Sequence, residues 1–178
     1  MNAALKIGIL FVFVLPFVSA CSSPIEADNE NLQHQKDPSK SLEKVNRYLV
    51  KAEKEDIDNY IRRHQWQMRE SGTGLRYWIY EEGEGPKAKQ GQIAELNYKL
   101  WLINGDLAYS SDTDGVKSFL IGRGGVESGL EEAILLMNQG DKARLILPAH
   151  LAYGLLGDEN KIPPRTAIVY ELELINLK

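Results

Sequence analysis

Residues 93–110 read I-A-E-L-N-Y-K-L-W-L-I-N-G-D-L-A-Y-S. Ile93 to Ile103 predicts a long strand. Asn104-Gly105 behind it is a strong hairpin signal, because both positions of a two-residue turn need positive φ. Leu107 to Ser110 is then the returning strand. Working outward, Gly74 to Tyr80 (G-L-R-Y-W-I-Y) is a β-rich run, stopped by E-E-G-E-G-P at 81–86. Lys142 to Pro148 and Ala167 to Leu177 (A-I-V-Y-E-L-E-L-I-N-L) alternate as strands. Between them, Ser128-Gly129-Leu130-Glu131 fits a capping box, and Leu130, Ala133, Ile134 and Met137 mark one face of a short helix. Gly140 is placed to end that helix. Strands in runs with one helix among them predict an α+β domain over residues 71–178, an antiparallel twisted sheet wrapped on one short helix.

The preceding stretch has a different period. Over residues 41–70, Val45, Tyr48 and Leu49, then Ile57, Tyr60 and Ile61, recur at three- and four-residue spacing, with charges on the other face. These predict an N-terminal helical arm, with Asp56 as a cap, that either docks on the following domain or serves as a partner-binding surface. Residues 21–40 are polar, carry Pro24 and Pro38, and lack the apolar content to offset the entropy of ordering. They read as a tether with a span of about 25 Å.

Residues 1–21, M-N-A-A-L-K-I-G-I-L-F-V-F-V-L-P-F-V-S-A-C, have the form of an export signal. A basic start ending at Lys6 leads into an apolar run, Ile7 to Val18, shorter than the roughly 20 residues a bilayer-spanning helix needs. Val18-Ser19-Ala20-Cys21 resembles a bacterial lipobox, in which the thiol is acylated after residues 1–20 are removed. Cys21 is the one cysteine of the chain and stands at the position that processing requires. The expectation is a lipid attachment at Cys21 and residence in the bacterial cell envelope. Ser22, in place of an acidic residue, points to the outer membrane facing the periplasm.

Composition narrows the function. Of 178 residues 43% are hydrophobic and 26% charged, which fits a globular domain. A net charge of -4 provides no field to gather nucleic acid, so no nucleic-acid partner is expected. A single cysteine excludes an intrachain disulfide, and His34, His64 and His150 have no metal-ligand spacing. There is no P-loop, G-x-S-x-G elbow or dinucleotide-binding glycine run. No metal and no cofactor are expected.

Several blocks carry a family resemblance. Ala152 to Pro164, A-Y-G-L-L-G-D-E-N-K-I-P-P, is similar to the loop that closes the proline pocket of the FK506-binding-protein (FKBP) peptidyl-prolyl isomerases. Gly129-Leu130-Glu131-Glu132, Gly105 with Ser110-Ser111, Val169 to Leu174 and Gly72 to Leu75 complete that pattern over about residues 72–178. Ile61 to Trp66 and the phrase V-E-S-G-L-E-E-A-I further resemble gliding-motility-associated FKBP lipoproteins, which implies motility-machinery proteins as partners.

The resemblance implies an isomerase that assists folding of exported proteins, with proline-containing polypeptide clients. It places Tyr98, Val126, Leu130, Ile162 and Tyr170 as pocket lining. Tyr153 would donate its hydroxyl to a substrate carbonyl, and the backbone N–H of Glu127 would be a second donor, its side chain incidental. Where better-known members carry Phe-Asp before the serine pair, this chain has Ala108-Tyr109, and Tyr109 takes the vacated space. Leu130 stands in place of a floor tryptophan, and Asp158 follows Gly157. Those departures imply weaker binding of macrolide inhibitors, and Ala108-Tyr109 favours a rival expectation, a proline-binding chaperone. The helical arm supports that rival and a second one, a scaffold lipoprotein of a motility or secretion machine, equally well.

Overall fold

A computed structural model describes residues 38–178; the export signal, Cys21 and most of the tether lie outside the described residues. The chain opens with helix α1 (Pro38–His64). Strands β1 (Arg69–Glu70), β2 (Arg76–Glu81), β3 (Ile93–Leu102) and β4 (Leu107–Ser110) follow. Then come α2 (Ser111–Asp114), β5 (Lys117–Leu120), α3 (Ser128–Ile134), β6 (Lys142–Leu147), a 3-10 turn (Ala149–Leu151) and β7 (Ile168–Leu177). All strand pairs are antiparallel and run β1-β2-β6-β7-β3-β4, with β5 also on β3.

Alternation decides which side of this sheet is core. Leu96, Tyr98 and Leu100 of β3 stand opposite Leu174, Leu172 and Tyr170 of β7, so one face carries all six inward. Helix α3 covers that face through Leu130, Ala133 and Ile134. Gly129 is required at its start, since a Cβ there would come within 2.7 Å of the Leu147 side chain. Leu130, Ala133 and Ile134 lie on the expected apolar face of α3, whereas Met137, expected on the same face, is buried beyond the end of the helix. The helix stops at Ile134, and Gly140 lies further on with φ +94° in the turn entering β6. The capping box does not form. Glu127 is the cap residue, the Ser128 hydroxyl donates to Leu151 O at 3.5 Å, and Glu131 accepts instead from the Gly124 N–H at 2.9 Å.

The opposite face is covered by the second half of α1. Ile57 and Tyr60 pack on Ile146, Ala167 and Val169, with Trp66, Trp101 and Ile103 around them. Each such burial contributes roughly 1.5–3 kcal/mol. Arg144 lies in the same region, its guanidinium 4.8 Å from the Trp66 ring and 5.0 Å from Tyr80. Arg76, a buried charge, reaches Glu70 at 2.7 Å and Asp58 of α1 at 3.4 Å. The first half of α1 is different: Val45, Tyr48 and Leu49, on the predicted apolar stripe, are exposed.

Three expectations need correction here. The arm helix ends at His64, not Glu70: Gln65 turns the chain with φ +56°, and Arg69–Glu70 pair with β2. Asp56 lies inside α1 and caps nothing. The hairpin after β3 is a three-residue loop, because Leu102 N–H donates to Asp106 O and Gly105 N–H donates to Leu102 O. Only Gly105 has positive φ, and the Asn104 side chain instead accepts from the Asp106 N–H.

Candidate active site

The proposed pocket residues converge at one end of the core face. Tyr98 on β3 and Tyr170 on β7 have ring centroids 6.0 Å apart, Leu130 projects from α3, and Ile162 closes from the β6–β7 connection. All four are buried; Val126, Tyr109 and Tyr153 are half-buried against them. The serine pair explains how Tyr98 is held. Strand β4 leaves the β3 edge at Ser110, and there the Ser111 hydroxyl replaces a backbone partner, accepting from Tyr98 N–H at 3.1 Å. Strand β5 then resumes the ladder on the same edge.

The closing loop is organised by Asp158. Its carboxylate accepts from the backbone N–H groups of Ile162 (2.7 Å) and Asn160 (3.0 Å) and from the Tyr109 hydroxyl. Gly157 beside it has φ +74°, and a Cβ there would meet Ile162 O at 2.1 Å, so the turn excludes any side chain. Burial alone would raise the Asp158 carboxyl, but the hydrogen bonds from Tyr109, Ile162 and Asn160 outweigh it and hold the group below its ordinary value. Tyr109 thus spans from β4 to the loop, while Ala108 beside it is a small buried core residue.

A charged network lies under the two rings. Glu127, with a side chain only 4% exposed, accepts from the Tyr170 hydroxyl at 2.9 Å and pairs with Lys117 Nζ at 3.5 Å. Lys117 Nζ also donates to the Tyr170 hydroxyl at 3.2 Å and stands 5.5 Å from the Tyr98 ring centre and 5.7 Å from that of Tyr170. The Glu127 side chain is therefore a central acceptor, contrary to its expected incidental role. The Tyr153 hydroxyl is pushed well up by burial, with the Glu127 charge and a hydrogen bond to it adding. Burial and Glu127 raise Tyr170 in the same way. Both phenols remain donors at neutral pH. The Glu127 backbone N–H donates to no protein group among the described residues, as befits the residue at the head of a helix.

Sequence reasoning passed over Lys117. The signal was its place two residues before Phe119. In a strand those two side chains share a face, and Phe119 is buried in the core.

The fold and this cluster together define a class. Residues 85–175 match the family FKBP-type peptidyl-prolyl cis-trans isomerase, and the chain belongs to that family. It is 33% identical over 138 residues to the FKBP-type isomerase FkpA of Escherichia coli (strain K12), covering 72% of this chain and 50% of that protein. The chain thus spans half the length of that relative. It is 32% identical over 109 residues to FK506-binding protein 1A of Neurospora crassa, covering 59% of this chain and 89% of the relative. The crystal structure of FkpA from Escherichia coli superposes with a TM-score of 0.64 at 30% identity, over 79% of this chain and 66% of that one.

Proposed function

We propose that this chain is a peptidyl-prolyl cis-trans isomerase acting on proline-containing segments of exported proteins. The observation that carries this reading is the pair of donors beside the aromatic cluster, the Tyr153 hydroxyl and the unused Glu127 N–H, in a chain of this family. An X–Pro amide crosses a barrier of roughly 18–20 kcal/mol because twisting it destroys C–N resonance. Lowering that barrier needs no nucleophile. Apolar walls that desolvate the amide, and donors that hold the twisted form better than the planar one, are sufficient. About 5 kcal/mol of such preference corresponds to roughly 10³–10⁴-fold.

In this reading Tyr98, Val126, Leu130, Ile162 and Tyr170 face the prolyl ring, Tyr109 braces the closing loop, and Tyr153 turns its hydroxyl from Glu127 to the substrate carbonyl. The test is isomerisation of an X–Pro peptide by wild type and Tyr153→Phe. Removing one hydroxyl donor is expected to lower kcat/KM by roughly 5- to 150-fold, and a melting curve recorded beside each rate separates lost catalysis from lost stability. A folded wild-type protein no faster than the spontaneous reaction defeats the reading. The second reading, a proline-binding chaperone or scaffold with little turnover, is favoured by the Lys117 ammonium resting over both rings and by the small Ala108.

The address is part of the proposal. Val18-Ser19-Ala20-Cys21 supports acylation of Cys21 and attachment to the outer membrane facing the periplasm, with each buried CH₂ contributing roughly 0.8 kcal/mol. The resemblance of Val126 to Ile134 to motility-associated lipoproteins supports motility-machinery proteins as partners. Palmitate labelling of wild type against Cys21→Ser decides the anchor, and equal label in both ends it.

A further inference from the structure

The cluster that would take a prolyl ring is already occupied. Tyr98, Leu130, Ile162 and Tyr170 are buried, and among the described residues the one cation lying over both aromatic rings is the Lys117 ammonium, from a side chain 23% exposed. Its partner is deeper: Glu127 is 4% exposed and keeps the Tyr170 hydroxyl at 2.9 Å as a second donor. The two partners are therefore unequal. Glu127 is buried and held by the short Tyr170 hydrogen bond, whereas Lys117 is part-exposed and held by a 3.5 Å ion pair and a 3.2 Å hydrogen bond on a flexible four-carbon stem. When a ring enters, Lys117 is the group that moves.

We propose that Lys117 is the specificity-determining residue of this groove, selecting proline segments whose neighbouring residue is acidic. This rests on the isomerase reading above and refines it. Displaced from the rings, the part-exposed ammonium swings outward, where an acidic side chain next to the proline replaces Glu127 as its counter-ion. Glu127 keeps the Tyr170 hydroxyl as a donor.

The carboxylates nearest the rings are already engaged by donors within the protein. Asp158 is saturated by Tyr109 and two backbone N–H groups, and Asp114 of α2 accepts from the Ser110 N–H. The Lys161 ammonium donates to the Ala108 carbonyl and stands over the Tyr109 ring, and among the described residues it has no carboxylate partner. Two ammonium groups thus face an incoming segment. A basic neighbour to the proline meets repulsion from both.

The experiment uses the full chain and three peptides, Ala-Xaa-Pro-Phe with Xaa as Glu, Ala or Lys, followed by kcat/KM and, by calorimetry, by Kd. Wild type is expected to favour Glu over Lys by about tenfold at low salt, shrinking in 0.5 M NaCl, as a partly exposed charge pair should. In Lys117→Met the ratio falls towards one, and the Ala peptide gains several-fold because the rings are vacated. Lys117→Arg, which keeps the charge should the Met variant fold poorly, retains the preference for Glu. A Glu-to-Lys ratio unchanged in Lys117→Met, or a wild-type preference for Lys, overturns the proposal. The Kd ratios read selectivity without turnover. Selective binding with no catalysis would therefore sink the isomerase reading and leave the selectivity standing.

Discussion

Replacing Tyr170 by Phe isolates what the buried network contributes to the fold. The ring stays, with its packing on Tyr98 and Leu100, so no cavity opens. Only the hydroxyl leaves, and it both donates to Glu127 at 2.9 Å and accepts from Lys117 at 3.2 Å. Hydrogen bonds to charged groups contribute about 1.5–3 kcal/mol, and a site closed to water belongs at the upper end. We therefore expect Tyr170→Phe to lose about 2–3 kcal/mol. Urea unfolding of the full chain measures this directly, provided the slope m is unchanged between variants. Combining Tyr170→Phe with Glu127→Gln in a double-mutant cycle should return a coupling above about 1 kcal/mol, because the groups touch. A loss under about 0.5 kcal/mol at constant m would refute the reasoning. It would mean that the Lys117–Glu127 pair satisfies itself and that the phenol is a spectator.

Two further outcomes test the arm and the closing loop. Ile57→Ala, at a side chain 2% exposed beneath α1, should destabilise the protein by roughly 2–5 kcal/mol, while Val45→Ala on the exposed half stays within about 0.5; equal effects in a denaturation series would show that α1 does not dock through its second half. Asp158 has its carboxyl lowered in the folded protein, so its contribution is complete above the unfolded pKa and is lost as pH falls through the folded one. Protection of the Ile162 amide from hydrogen exchange should accordingly drop below about pH 4 in wild type and be low at every pH in Asp158→Asn; a wild-type profile flat across that range would contradict it.

The strands and the face of α3 were legible because alternation and helical spacing report one thing, which side chains leave water. Ile93 to Ile103 and Ala167 to Leu177 showed that pattern plainly. What was missed depends on partners distant in sequence. Helix α1 stops at His64 because Arg69–Glu70 find an edge on β2, and nothing in residues 65–70 announces that edge. Ser128 looked like a helix cap but bonds to Leu151, twenty-three residues away. Strand β5 escaped notice because Lys117 interrupts an otherwise apolar face. The site was legible in its aromatic members through family order, whereas the charged pair beneath them was not. A lone Lys and a lone Glu ten residues apart read as surface until a sheet edge and a helix start bring them together.

The position of β7 has a consequence for the order of events in folding. Strand β7, residues 168–177, is hydrogen-bonded to β6 on one side and to β3 on the other, so it occupies the middle of the sheet although it is made after every other described strand. Until it arrives, β3 and β6 have no common neighbour, and Leu100 and Leu145 both lack the tyrosine they flank. Such long-range pairing is slow and is completed only when the whole stretch is present. The sheet of a nascent chain therefore stays open until residues 168–177 have been made, with its future centre still a gap between two finished halves.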